Sequence, residues 1–214
     1  MRPEREFFLR DAVQIAPLLL GARLISRLPE GEVTVRITET EAYTGPGVGD
    51  RADPGSHSRM GKTARNASMF GEPGHLYVYF SYGMHHAVNV VCSPAGLASG
   101  VLLRAGEIIT GVELARARRG AAHQDRDLAR GPGRLAQALG FIRERDDGVD
   151  ALDGAPGARA ELLLAERVIT PAEMGISPRT GVSGIAGTAE FPWRFYLRDE
   201  ATVSPYRAAA PPRR

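Results

Sequence analysis

Between Glu32 and Tyr43 apolar and polar positions alternate, with Val33, Val35 and Ile37 set against Thr34, Arg36 and Thr38, and this two-residue period predicts a strand with one buried face. Glu39 and Glu41 close the run. On strict alternation they share the face of Val33, Val35 and Ile37. A second alternation sets Leu76, Val78 and Phe80 against Tyr77, Tyr79 and Ser81, breaks at Tyr82-Gly83-Met84 and resumes over Ala87 to Val91. It predicts an antiparallel pair of strands with Tyr82-Gly83 at or near the turn. Val101 to Arg104 reads as a further short strand. Asp11 to Leu24 places Val13, Ile15, Leu18, Leu19 and Leu20 at roughly helical spacing, with Asp11 as cap and Gly21 as stop. Helices are also predicted over Gly111 to Arg119 and Arg134 to Leu139, the latter opened by Gly131-Pro132-Gly133 with proline at an early helical position. Arg159 to Val168 fits helix or strand. A glycine-rich loop from Arg179 to Gly187 leads into a last strand over Pro192 to Leu197.

Thr44 to Arg65 interrupts this pattern with Gly, Pro, Asp, Ser and Arg and almost no aliphatic residue, a length of loop that in a compact domain is functional or disordered. No repeat or linker divides the 214 residues, so one domain over residues 1–207 is expected, with a Pro- and Arg-rich disordered tail over 208–214. No apolar run approaches the roughly 20 residues that span a bilayer, and Met1 to Arg10 lacks the basic-then-apolar order of a signal peptide. A soluble, cytoplasmic protein is the expectation. The single cysteine, Cys92, ends an apolar strand and reads as core filler in a reducing compartment.

Charge refines the picture slightly. Of 27 basic residues only Lys62 is lysine, and the net charge of +2 permits a nucleic-acid partner without demanding one. The stretch from Arg104 to Arg145 holds nine arginines against five acids, a candidate footprint for a polyanion or a set of ordinary solvated helix faces. Chemistry gathers elsewhere. An acid on the apolar side of a strand is desolvated and has a raised pKa, so Glu41 is a candidate general base, with rim pairing of Glu39 and Glu41 to arginine as the alternative. Phe70, Tyr77, Tyr79, Phe80 and Tyr82 lie within 13 residues, beside a loop bearing Arg51, Arg59, Lys62 and Arg65. Strand spacing suits Tyr77 and Phe80 to a core. Tyr82, next to glycine at a turn, projects outward and could wedge between stacked bases while basic neighbours hold phosphates. Ser56 to Thr63 nearly matches Gly-x4-Gly-Lys-Thr, but no strand feeds it, as a phosphate-cradling loop requires. The histidines (His57, His75, His85, His86, His123) show no zinc-ligand spacing, so no metal or other cofactor is expected.

In order along the chain, Leu18-Leu19-Leu20-Gly21, Ile37-Thr38-Glu39-Thr40-Glu41-Ala42-Tyr43, Ser56-His57-Ser58, Thr63-Ala64-Arg65-Asn66 and Pro73-Gly74-His75-Leu76-Tyr77-Val78-Tyr79 resemble the alkyladenine (3-methyladenine) DNA glycosylase family. Tyr82-Gly83-Met84, Asn89-Val90-Val91, Val101-Leu102-Leu103-Arg104-Ala105, Gly131-Pro132-Gly133 and Pro192-Trp193-Arg194-Phe195-Tyr196 extend the likeness over roughly residues 18–196. The resemblance implies a monofunctional, monomeric base-excision enzyme that flips damaged purines, of the 3-methyladenine, 7-methylguanine, hypoxanthine and ethenoadenine class, out of double-stranded DNA. It implies that Glu41 deprotonates the attacking water and Arg104 helps to hold it, and that Tyr43, His57 and Tyr79 form the base pocket. Tyr82 would fill the gap in the duplex, Asn89 would reject normal guanine, and a carbonyl near Val182 would complete the water site. Arg59, Lys62, Arg65 and Arg134 are the candidate phosphate contacts. His85-His86 and Thr180 depart from the family pattern. The expected fold is α/β (α+β), with a curved, mainly antiparallel sheet, flanking helices and a protruding hairpin. On the residues alone, a lesion sensor that binds without cleaving stays open.

Overall fold

In the computed structural model, which describes residues 1–81, 83–120 and 124–209, nine strands form one sheet in the order β3-β4-β5-β2-β1-β7, and every strand pairing in it is antiparallel. The strands are β1 (Arg23–Leu28), β2 (Gly31–Thr44), β3 (Leu76–Ser81), β4 (His85–Val91), β5 (Ser99–Thr110), β6 (Ala129–Arg130), β7 (Ala160–Leu163), β8 (Met174–Ser177) and β9 (Arg194–Leu197). Strand β6 pairs with β5, and β9 bridges β2 and β8. The α-helices are α1 (Ala12–Ile15), α2 (Val112–Arg119), α3 (Pro132–Leu139) and α4 (Arg143–Asp146).

The alternating sequences become the central strand β2 and the hairpin β3-β4, as their period requires, and Val33, Val35 and Ile37 are fully buried in the main core. Each such side chain contributes roughly 1.5–3 kcal/mol. Helices α1 and α3 cover that core, burying Ala12 and Ile15 from one and Leu135, Ala136, Ala138 and Leu139 from the other. Asp11 caps α1 as expected, its carboxylate accepting from the N–H groups of Val13 and Gln14. Gly21 turns the chain with φ +78°. The predicted opening helix is nonetheless shorter than expected: after α1 the chain tightens into a 3₁₀ turn over Ala16–Leu19, and Leu24 belongs to β1, which pairs with β2. Helix-like spacing ran on into a strand because β1 buries Leu24, Ile25, Ser26 and Leu28 without alternation. The ambiguous stretch after Arg159 contains β7, and Cys92 is buried in the core, where desolvation pushes its thiol pKa up. Phe80, in contrast, is half-exposed and not core. No helix among the described residues is long and apolar enough to cross a membrane.

Candidate active site

Two compensating bulges decide where the acids of β2 point. Across β2 and β5, Ile37 faces Gly106, Glu39 faces Ala105 and Thr40 faces Leu103, so Thr38 is the extra residue on one strand and Arg104 on the other. A bulge shifts side-chain parity by one. Ile37 and Ala42 therefore both lie in the core, Thr40 donates its hydroxyl to the Ala16 carbonyl at 2.9 Å, and Glu39 and Glu41 turn to the opposite side of the sheet. The expectation that they share the face of Val33, Val35 and Ile37 is overturned by this extra residue. Close approach of the strands here needs glycine at 106, since a Cβ there would lie 2.4 Å from Val35 Cγ2 and 2.5 Å from the Arg36 carbonyl oxygen.

The rim alternative for the two acids fails on burial but holds on pairing. Glu39 and Glu41 are fully inaccessible to solvent, and both meet Arg104, whose Nε donates to Glu39 Oε1 at 2.9 Å and whose Nη1 stands 3.3 Å from Glu41 Oε1. Arg194 donates to Glu39 Oε1 at 2.6 Å, and the Ser204 N–H donates to Glu39 Oε2 at 2.8 Å. Glu41 has different donors: the Thr180 N–H at 2.7 Å on Oε1 and the Tyr43 hydroxyl at 2.7 Å on Oε2. A carboxylate offers about four acceptor directions, so Glu41 keeps capacity for another donor. Burial raises its pKa, and Arg104, the Thr180 N–H and the Tyr43 hydroxyl oppose that rise. Glu39 accepts three hydrogen bonds, from two guanidinium groups and an N–H, against the two that Glu41 accepts beside its ion pair with Arg104.

Tyr43, Arg104 and Thr180, the three partners of Glu41, line a cavity of about 990 Å³. His57, Tyr77, Tyr79, Asn89 and Val182 line it too. Tyr77 and Tyr79 stack with ring centroids 5.4 Å apart, and His57 stands edge-on to Tyr79 at 4.6 Å. The rings meet because residues two apart on β3 share a face. His57 Nδ1 lies 3.2 Å from the Tyr77 hydroxyl, and desolvation together with Arg65 and Arg59 holds its pKa below the ordinary value, which favours a neutral imidazole at pH 7. Asn89 is fixed by donating to the Tyr77 carbonyl at 3.1 Å. Arg59, Arg65 and Arg134 lie on the cavity wall, joined by Arg119 and Arg130 and by His85 and His86. Lys62 is not among the lining residues and sits 6.0 Å from the Phe70 ring.

Among the candidate residues, then, the fold brings Glu41, Arg104, Tyr43, His57, Tyr79, Asn89, Val182, Arg59, Arg65 and Arg134 to one cavity and its floor. Tyr82 and His123 lie outside the described residues, as do residues 210–214 of the tail. Of the arginine-rich stretch, Arg104, Arg119, Arg130 and Arg134 line the cavity, Arg130 and Arg134 also standing 3.6 and 3.9 Å from Asp127, whereas Arg116, Arg118 and Arg145 lie off it and pair with Asp125, Glu30 and Asp146. Residues 56–63 run through turns with no strand leading in, as expected. Tyr77 is a core residue, as its strand spacing predicts, packing with Met69, Val91 and Ala98 in a second buried apolar cluster, and its ring also lines the cavity beside Tyr79.

Thr180 meets Glu41 through its backbone, so its side chain is not what holds the acid. Its hydroxyl is buried without a hydrogen-bond partner among the described residues. Thr180→Val should keep the contact to Glu41 and raise stability by about 1 kcal/mol, since an unpaired buried hydroxyl carries a desolvation penalty of roughly that size or more; a lower midpoint in urea would contradict it.

Comparison with known proteins agrees with this arrangement. Residues 6–201 match the family model described as methylpurine-DNA glycosylase. The chain is 53% identical over 210 residues to a protein of Streptomyces avermitilis, covering 98% of this chain and 94% of that one. It is 53% identical over 210 residues to one of Leifsonia xyli (96% and 93% covered) and 48% identical over 197 residues to one of Nocardia farcinica (92% and 88%). All three bear the name 3-methyladenine DNA glycosylase. Sheet, buried acid, aromatic cavity and matched length converge on one conclusion: the chain belongs to the methylpurine-DNA glycosylase family of N-glycosyl hydrolases.

Proposed function

We propose that this DNA glycosylase excises damaged purines from duplex DNA by a Glu41-activated water, acting as a monomer in the cytoplasm. The observation that carries the reading is the placement of Glu41: a buried carboxylate whose three partners all line a cavity walled by aromatic rings. Cleavage at C1′ develops positive charge on the sugar, so one carboxylate both takes the water's proton and stabilises the transition state electrostatically. Arg104 favours the ionised form of Glu41 against the rise that burial imposes, and orients it. Cationic bases such as 3-methyladenine and 7-methylguanine leave readily and need chiefly to be bound. Neutral hypoxanthine and ethenoadenine depend more on stacking between Tyr43 and Tyr79 and on a hydrogen bond from neutral His57. In this reading Asn89, whose side chain donates to the Tyr77 carbonyl, discriminates against the exocyclic amine of guanine. The arginines on the wall suit the flanking phosphates.

Water is the nucleophile in this reading. An amine nucleophile for strand cleavage would have to be Lys62, which lies off the cavity wall, or the N-terminus, which donates to the Leu164 carbonyl beside β7. Incubation with duplexes carrying hypoxanthine or 3-methyladenine should release the free base and leave an intact abasic strand. Bound but uncut lesion DNA would instead identify a sensor. Tyr82→Ser should weaken lesion binding by roughly the 1–3 kcal/mol of one base-aromatic stack; affinity equal to wild type would remove Tyr82 as the wedge.

A further inference from the structure

Arg179 is fully buried, and its guanidinium makes a two-pronged pair with Asp53 at 2.7 Å on each side. Asp53 belongs to the long loop after β2, and Gly55 of that loop packs so closely that a Cβ would fall 2.8 Å from Arg179 Nη2. The same guanidinium donates to the Ala42 carbonyl at 2.9 Å and to the Ala186 carbonyl at 3.1 Å, tying β2, the loop and the glycine-rich closing segment to one point. It also lies over the Tyr43 ring, 4.5 Å from the centroid. Both neighbours of this clamp reach the proposed base: Tyr43 donates its hydroxyl to Glu41 Oε2, and Thr180, next in sequence to Arg179, donates its N–H to Glu41 Oε1.

We propose that Asp53 and Arg179 are positioning residues for Glu41, fixing the two donors that hold the two oxygens of its carboxylate. The inference rests on Glu41 being the base and adds the device that aims it. A planar fork is needed for the role: only arginine can satisfy Asp53 on two nitrogens, two carbonyls and a stacked ring together. Building such a clamp across 126 residues places three separately coded segments within hydrogen-bond tolerance of one carboxylate. The charged and titratable groups facing Glu41 are Arg104 from β5, Glu39 and Tyr43 from β2, and Arg179 from the closing segment, with Arg194 of β9 reaching Glu39.

The test compares R179K and D53N with wild type in single-turnover excision of hypoxanthine from a duplex, over a range of pH, with lesion-duplex affinity measured in parallel. R179K keeps the charge and loses the fork and the stack. Excision should slow on the order of tenfold to a hundredfold, with affinity retained. Hydrogen bonds from Thr180 and Tyr43 favour ionised Glu41, so loosening them lets burial raise its pKa further and moves the acidic limb of the rate profile to higher pH. Y43F combined with R179K should cost less than the product of the two single effects, because the part of the R179K loss that runs through the Tyr43 hydroxyl is already absent in Y43F. Folded R179K and D53N proteins with the wild-type rate and limb would overturn the proposal. Where R179K melts below the assay temperature, the D53N rate decides alone: slow supports positioning, wild-type speed refutes it. Failure of the underlying reading looks different, since an active E41Q protein would remove the base itself.

Discussion

Glu41→Gln should lower single-turnover excision by between about 10²- and 10⁴-fold, the range of a lost general base, while lesion duplex is still bound. Glutamine keeps an oxygen for the Thr180 N–H and offers an amide to the Tyr43 hydroxyl, so the surroundings need not collapse. The same variant should melt no lower than wild type at neutral pH. The sign follows from the raised pKa of Glu41 in the fold: its contribution to stability is present when the carboxyl holds its proton and is lost as pH rises through the folded value. A neutral side chain escapes that loss. Its advantage over wild type should close as pH falls below the ordinary glutamate value of about 4.3. Denaturation midpoints at several pH values check this, and a variant that is both inactive and much less stable at neutral pH would point to a structural acid instead.

Arg104→Met should have the larger effect on stability, on the order of 3 kcal/mol or more, because removing one partner leaves buried carboxylates uncompensated. Arg104 is 7% exposed and touches both acids; Arg194 still covers Glu39, whereas Glu41 loses its only paired cation among the described residues. The acid should then protonate more readily, so excision near pH 7 falls along with the midpoint in urea. A variant of unchanged stability and rate would show that Arg104 neither balances the acids nor serves the site.

How far this was legible in the sequence differs by element. The strand bearing Glu41 and the hairpin bearing Tyr79 were readable because alternation is a local signal and both run next to buried neighbours. Their functional face was not. One extra residue on each of β2 and β5 leaves composition and spacing unchanged, yet it sends Glu39 and Glu41 to the side of the sheet opposite Ile37. β1 was hidden because Arg-Leu-Ile-Ser-Arg-Leu is buried on both faces at several positions and continues a helical spacing from upstream. The cavity residues His57, Asn89 and Val182 entered through resemblance to a family; no local period marks them. The ion pairs of Asp53 with Arg179 and of Glu39 with Arg194 are not legible in the sequence, since the partners lie 126 and 155 residues apart and nothing near them predicts a pair. Long-range ion pairs of this kind are legible only once the sheet order is known.

The most direct test of Glu41 as the base is the single-turnover rate of hypoxanthine excision measured against pH. The rate should fall on the acidic side with a midpoint above the ordinary glutamate value, in the direction that burial of Glu41 sets. A rate that stays flat, or climbs, as pH drops through that region would mean that an ionised Glu41 is not required and that another group or the leaving base governs the step.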